Sequence, residues 1–504
     1  AIAACQHGTK LPVEIVVSGG EFEAYTPLYQ ANTEKNPQEA IDKVKVTVTG
    51  GKFKATKGSK NVVWSENKKI ALEGGVYNMN PSAYAADGKV AVENTGADKD
   101  VYPYAISDVD TEGASFTTEG DWNVAGNWKD SKMASATTPV SIGANVVIPA
   151  GVTAEAYKIT VAWGKTITVK SGAILIIGAG GINIAGGQAK QLVVEDGAAL
   201  LINPAATVGN QPVGTVCKTL NTYKKAPEKL EEGEAPYVRL HVGIPTTALP
   251  SISNRILVSA WNTATGWYDA PEFATPFKGY DITTETTPAE ATQFGGTLVG
   301  NVDATLSMPH IGFHFFGNSW SAPVDVNELL NQLDALKNQG KVEAAVKVHN
   351  SDDTYTDITR DAIKQDGTLA TLAPMAGFFL FANEAVSVPL SYEKAVWNAN
   401  AQSVKKSAAP KRMMVAAEEE TNAVRIMLTA ANGRKDNVYL YDGNEFHSTK
   451  MMNGKPNVNI FVEEGQSNYS TFASEDLEGT VIGIQTNSQT NYSLSFDWLK
   501  GETL

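Results

Sequence analysis

Three copies of one short pattern constrain the first hundred residues more than anything else in the chain. Val17-Ser-Gly-Gly-Glu-Phe22 recurs as Val48-Thr-Gly-Gly-Lys-Phe53 and as Leu72-Glu-Gly-Gly-Val-Tyr77. Each copy reads as a short alternating strand, a Gly-Gly corner and an aromatic residue two positions on. The glycine pairs stand 31 and then 24 residues apart, periods that suit coils of a right-handed parallel β-helix. Each coil must turn sharply at a fixed place, which glycine permits, and its aromatic then stacks on the counterpart in the next coil. Three unrelated hairpins are the other reading. The segment 1–105 is thus expected to be a β-solenoid.

A second block, 118–214, opens with Gly120-Asp-Trp-Asn-Val-Ala-Gly-Asn-Trp128. Short apolar strands are expected at 145–149, 158–161, 166–170, 173–177, 181–184, 191–194 and 199–202. Two turns match 25 residues apart, Val169-Lys-Ser-Gly-Ala-Ile-Leu175 and Val194-Glu-Asp-Gly-Ala-Ala-Leu200, again the mark of a parallel solenoid. The Ser-Gly-Gly-x-Phe repeats of the first block resemble those of surface proteins of gut bacteria. The Trp-x5-Trp opening followed by Val146-Val-Ile-Pro-Ala-Gly151 is similar to a recurrent start in surface proteins of the Bacteroidota.

The charged, proline-bearing stretch 215–236 reads as a linker. Between 237 and 400 two blocks belong together. Gly312-Phe-His-Phe-Phe-Gly-Asn-Ser-Trp-Ser-Ala-Pro-Val-Asp325 is an aromatic strand, a loop closed by Pro323 and a helix start. Leu372-Ala-Pro-Met-Ala-Gly-Phe-Phe-Leu-Phe-Ala-Asn383 is a corner followed by a strand with period-2 aromatics. Asp325 as N-cap with Glu328 three residues on suggests a capping box. Val326, Leu329, Leu330, Leu333 and Leu336 form one helical stripe that Gly340 ends. The two blocks resemble a β-sandwich module of secreted Bacteroidota surface proteins. There the motifs usually read Gly-Asn-Pro-Tyr/Phe-Pro-Ser-Pro-Ile-Asp and Pro-x-Gln-Gly-Phe-Phe-Val. Here Ser319-Trp320 and Met375-Ala376 depart from them. The resemblance makes Gly317, Asn318, Trp320, Pro323, Asp325, Pro374, Gly377 and Phe378 the structural motif. Gly317 and Gly377 are expected at turns that need a positive φ.

Polar, charge-segregated residues 401–421 read as a second linker. Alternating strands at 424–429, 437–441, 480–485 and 492–496 then mark a β-sandwich over 422–504. It resembles the C-terminal domains that address cargo to the type IX secretion route. Those usually continue with a Leu-x-Leu-x-Asp hairpin and a basic end, so the match is partial. The first residues carry no basic stretch of a signal peptide, and the chain reads as a mature fragment of a longer precursor.

The fold class expected is all-β, with solenoid segments followed by sandwiches and one helix near 325–338. At 504 residues about three or four domains fit. The formal charge of -14 argues against nucleic acid and anionic lipid as partners. Two cysteines, Cys5 and Cys217, exclude a disulfide scaffold, and whether they pair stays open. No apolar run reaches the length of a membrane helix.

Candidate chemistry is thin. His310 and His314 are expected on one face of a strand, but a metal would need a third ligand nearby. Asp352, Asp353 and Asp357 cluster hard oxygens where calcium is the one cofactor conceivable, although a solvated turn fits them better. Trp122, Trp128, Trp163, Trp261, Trp267 and Trp320 have the rings to stack on sugars, with core or turn packing as the stronger reading. The abundant acids nominate no glycosidase pair, and no nucleophile elbow or phosphate loop appears. No strand carries the adjacent Asp, Lys and Arg of a β-helix lyase groove. The expectation is a non-enzymatic surface structural protein, a surface-layer component or adhesin. Its partners would be other copies or neighbouring surface proteins and the outer-membrane export machinery, with glycans as a further class. A surface carbohydrate-binding protein and a β-helix polysaccharide lyase are the alternatives.

Overall fold

The computed structural model describes residues 1–59, 61–206, 212–219, 223–224, 238–246, 256–262, 267–269, 271, 274–284, 291–350, 354–400, 422–431, 433–443, 446–452, 458–486 and 491–500. Strands account for 49% of the structure and helices for 12%, so the protein is all-β. The chain divides into two compact units. One comprises Ala1–Ile167, Ile174–Gly186 and Ile202–Asn210; the other comprises Thr168–Ala173, Gly187–Leu201 and Gln211–Leu504. The expected linker 401–421 and most of 215–236 lie outside the described residues.

In the first unit the repeats pair as parallel ladders, not hairpins. β1 (Ile2–Cys5), β4 (Leu28–Ala31) and β7 (Val63–Ser65) form one ladder. β2 (Val13–Val17), β5 (Val44–Val48) and β8 (Ile70–Leu72) form the second. β3 (Glu21–Ala24), β6 (Lys52–Ala55) and β9 (Val76–Tyr77) form the third. Equivalent repeat residues fall directly over one another: Val17 beside Val48 beside Leu72, and Phe22 beside Phe53 beside Tyr77. The three rings stack at centroid distances of 5.2 and 5.1 Å. Within each Gly-Gly corner the second glycine (Gly20, Gly51, Gly75) is left-handed, with φ of 100, 115 and 97°. In the second and third copies the first glycine has a different constraint: a Cβ on Gly50 would stand 2.7 Å from the Ser18 carbonyl of the preceding copy, whereas one on Gly19 would meet nothing. Helix α1 (Gln38–Ile41) fills the longer spacing. Antiparallel β10 (Lys89–Glu93) and β11 (Tyr104–Asp108) end the third ladder against β9.

The second block continues with β12 (Ala114–Phe116), β13 (Gly120–Asp121), β14 (Pro139–Ile142), β15 (Val146–Ile148), β16 (Thr153–Val161), β17 (Ile167–Val169) and β18 (Ile174–Ile184). β12, β14, β16 and β18 pair in parallel, and the two strands expected at 173–177 and 181–184 are one. Trp128 donates from Nε1 to the Trp122 carbonyl at 2.8 Å and packs edge-on against Trp122 and Phe116, all three buried. The Trp-x5-Trp opening thus serves its own core.

In the second unit the matched 25-residue turns stack in register, with the Glu195 amide on the Val169 carbonyl and Lys170 paired to Glu195 at 2.7 Å. β19 (Leu192–Val194) follows, with β20 (Ala199–Ile202) next in the chain, and β19 pairs in parallel with β21 (Val213–Lys218). There the parallel pattern ends. β22 (Tyr223–Lys224), β23 (Val238–Gly243), β24 (Ile256–Asn262), β25 (Trp267–Asp269) and β26 (Gly279–Thr284) make an antiparallel sheet, and β27 (Thr292–Thr297) runs antiparallel to β21. β28 (Ala304–Met308), β29 (Gly312–Gly317), β30 (Val324–Asp325), helix α2 (Val326–Lys337), β31 (Val346–His349), β32 (Tyr355–Ile358), helix α3 (Arg360–Gln365), β33 (Thr371–Leu372), β34 (Gly377–Ala382) and β35 (Val386–Leu390) complete this region. The two aromatic blocks pair with each other, β29 against β34 from Gly312 beside Ala382 to Gly317 beside Gly377.

The last module is one sheet of β36 (Ala423–Ala430), β37 (Lys435–Asp442), β38 (Phe446–Thr449), β39 (Asn459–Glu464), β40 (Ser467–Ser474), β41 (Val481–Gln485) and β42 (Tyr492–Lys500). The strand order is β41-β39-β40-β37-β36-β42, with β38 on β40. β40 serves two neighbourhoods: its first half pairs β39, its second half β37 and β38. The sheet therefore folds over along β40 around Val424, Ile426, Leu428, Val438, Ile460 and Val462, leaving β41 and β42 as edges.

Candidate functional site

The eight motif residues assemble into one anchor. Asn318 donates from Nδ2 to the Ala322 and Ala373 carbonyls, both at 2.9 Å, and accepts the Trp320 amide at Oδ1. Trp320 is buried edge-on against Phe277 and Tyr392, and its Nε1 donates to the Val302 carbonyl at 3.0 Å. Pro323 offers its carbonyl to Asn400. Pro374 starts a turn in which the Ala376 amide reaches the Ala373 carbonyl, and buried Phe378 pairs with Phe316. Asp325 caps α2 through the Asn327 amide, but Glu328 binds Asn331 and Gln332 instead of closing a capping box.

The reason expected for the glycines is corrected. Neither Gly317 nor Gly377 is left-handed; the positive φ of this corner, 62°, belongs to buried Met375. The glycines are required because β23 crosses them. A Cβ on Gly377 would stand 2.6 Å from the His241 carbonyl carbon, and one on Gly243 would stand 2.5 Å from that of Gly317. Backbone contacts hold the crossing, from the Gly243 amide to the Met375 carbonyl and in the bridge of Val242 with Ala376.

Asp357 also sits differently from the solvated turn expected. It is buried on β32, 2.5 Å from Lys347 of β31. Lys347 Nζ further donates to Ser448 and Ser470 at 2.8 and 2.7 Å, while the Ser470 and Thr471 hydroxyls donate to the other Asp357 oxygen. Burial pushes the Asp357 carboxyl up, but the Lys347 charge and these hydrogen bonds hold it below its ordinary value. Beside it, burial raises Glu343, whose carboxylate takes the Thr449 amide and hydroxyl. The β31–β32 region and the C-terminal module are thus joined by a buried, hydrogen-bonded polar knot. A second buried pair, Lys450 and Asp436 at 2.7 Å, ties the C-terminal strands to one another.

The most exposed apolar feature of that module is its edge. Leu494, Phe496 and Trp498 of β42 lie opposite Leu428, Ile426 and Val424, whose side chains are core. They point to the inner face, yet they are 44, 57 and 48% exposed. On the far edge Ile484 lies opposite buried Ile460 and is 46% exposed. Both edges carry core-type side chains that nothing among the described residues covers. Alternation of this stretch identified the strand; it carried no sign that the inner face is open.

Other candidates disperse. His310 lies before β29 instead of on its face, and His314 is buried with its Nε2 on the His310 carbonyl at 2.7 Å. Burial lowers the His314 pKa. Asp352, Asp353 and the turn between Trp261 and Trp267 lie outside the described residues. Trp122, Trp128 and Trp320 are core, whereas Trp163 is 73% exposed. Sequence reading missed Tyr29 and Trp64, half-buried neighbours on β4 and β7 whose rings stack at 4.9 Å. Both cysteines are free, Cys5 exposed and Cys217 buried. Among the described residues no three His, Cys, Asp or Glu side chains gather to hold a metal, and no helix is long and apolar enough to cross a membrane. Compared with family models, curated proteins and solved structures, the chain matches none.

Proposed function

We propose that this chain is a non-enzymatic structural protein of a bacterial cell surface, a surface-layer component or adhesin, that works by assembling with neighbours. In this reading 1–105 and 118–214 are parallel β-solenoid segments, and the sandwiches 237–400 and 422–504 are display and export modules of the type IX kind. The observation that carries it is the uncovered inner face of β42, because soluble chains rarely leave core-type side chains in water without a partner. The parallel stacking of the repeats supports it too, since such arrays extend a surface without needing a cleft. Two buried ion pairs, Lys347 with Asp357 and Lys450 with Asp436, hold strands together.

A surface carbohydrate-binding role is the second reading. Exposed Trp163 and the Tyr29–Trp64 stack favour it, because aromatic faces pack on sugar rings. The test is a polysaccharide-degradation screen beside light scattering, with and without calcium. Assembly without release of reducing or unsaturated ends is the expected result. Release of such ends refutes the structural reading, and a strictly monomeric chain that binds a glycan moves the assignment to the second.

A further inference from the structure

We infer that β42 is a self-association edge: two copies of this chain join their C-terminal sheets by antiparallel pairing of β42 with β42, centred on Phe496. The inference rests on the assembling role proposed above and names the partner. Natural sheets blunt their edges with lysine, proline, bulges or very short strands. β42 is nine residues long, contains no proline, and has both its one lysine, Lys500, and its register irregularity at the Ala423 end of the ladder.

Its sequence is self-complementary about Phe496. With Phe496 opposite its own copy, Leu494 falls opposite Trp498 and Ser495 opposite Asp497. Aromatic–aliphatic and aromatic–aromatic cross-strand pairs are among the favourable ones. The even offset keeps both stripes on one face, so the inner face of one copy continues into that of the other. Moving the centre to Asp497 would set two carboxylates opposite each other, which disfavours that register. In the Phe496 register each Asp497 faces a serine and keeps its own Arg425 at 2.6 Å.

The size of the stripe sets the strength. Side chains of this kind present about 150–250 Å² each. At the exposures given, the three leave roughly 300 Å² per copy uncovered, so the two copies bury less than the roughly 1,200 Å² of a standard interface. The dimer is accordingly weak and concentration-dependent. Each copy carries a formal charge of -14, so added salt strengthens it by screening, sodium as well as calcium at equal ionic strength.

The experiment is sedimentation velocity on the full chain over a concentration series, beside Phe496→Lys and, at the other edge, Val481→Lys. The expected result is a monomer–dimer equilibrium that Phe496→Lys weakens at least tenfold and Val481→Lys leaves unchanged. Melting curves check that Phe496→Lys folds. A second variant covers the case in which it does not: Phe496→Cys with Cys5→Ser should give a disulfide-linked dimer on mild oxidation, and Val481→Cys with Cys5→Ser should not. A chain monomeric throughout, equal weakening by both lysines, or equal cross-linking by both cysteines overturns the inference. Larger assemblies that persist in Phe496→Lys would sink this edge and leave the structural reading standing. Glycan release would do the reverse.

Discussion

Gly243 and Gly317 meet backbone to backbone, with no space between them for a side chain on either. Any substitution at Gly317 must push β23 away from the β29–β34 pair, and an overpacked site of this kind costs about 1–3 kcal/mol. Gly340 offers the contrast. It is left-handed at φ 75° with open space around its Cβ position, so alanine there costs only about 1 kcal/mol. Asparagine tolerates the left-handed region, so Gly340→Asn should melt close to the parent. Gly317→Asn should melt as low as Gly317→Ala or lower. Rescue of Gly317 by asparagine would mean that backbone conformation, not crowding, demands the glycine.

The Lys347–Asp357 pair makes a prediction about coupling. Removing one member of a buried, hydrogen-bonded ion pair leaves the other charge desolvated and costs about 3–5 kcal/mol. Lys347→Met and Asp357→Leu should each destabilise on that scale. The double variant should lose much less than the sum, because neither member of the pair is left buried without its partner. Denaturant unfolding of the four chains measures the coupling. Additive losses would show that the two residues act independently.

Acid should reveal the same knot through opposing shifts. Asp357 has a folded pKa below its ordinary value, so its stabilisation is complete above that ordinary value and is lost as the pH falls through the folded one. Glu343 has a raised folded pKa, so its protonation favours the folded chain, and stability from this group rises as the pH drops through the raised value. On acidification from neutrality the midpoint should first hold or rise slightly, then fall below the ordinary aspartate range. Glu343→Gln should remove the first arm and Asp357→Asn the second. Melting curves across about pH 3 to 8 test both.

Which parts were readable from sequence follows from how local each determinant is. The Gly-Gly-aromatic copies carry their own turn and their own ring, so spacing alone foretold that Phe22, Phe53 and Tyr77 would stack. The helix was legible because Asp325, the leucine stripe and Gly340 lie within one short stretch. β40 was not, since Ser467-Asn-Tyr-Ser-Thr reads as polar loop and gains its strand character from neighbours on both sides. Lys347 and Asp357 are ten residues apart, but the hydroxyls that make their burial tolerable come from 101 and 113 residues away. Gly243 drew no notice because the strand that needs its bareness is distant in the chain. Alternation in β42 marks two faces and cannot say which one another layer covers.

Proteolysis should separate connection from association. The stretch 401–421 combines Lys405-Lys406 and Lys411-Arg412 with three consecutive glutamates and no aromatic residue, and polar stretches of this kind are preferred sites of nicking. The first tryptic cut is expected there. The C-terminal module should nevertheless stay bound after the cut. Lys347 and Glu343, on and just before β31, hold Ser448, Ser470 and Thr449 of the C-terminal module, with Lys347 and both serines buried and Glu343 and Thr449 half-buried, and Lys337 lies 4.8 Å over the Phe446 ring. Denaturing electrophoresis of the nicked protein should therefore show two fragments where native size exclusion shows one species. In Lys347→Met the same nick should let the module dissociate, because the knot loses its central charge. If the wild-type fragments separate on the native column, the knot contributes nothing measurable and the intervening chain alone holds the modules together. If trypsin cuts first within 237–400, the linker has been misplaced.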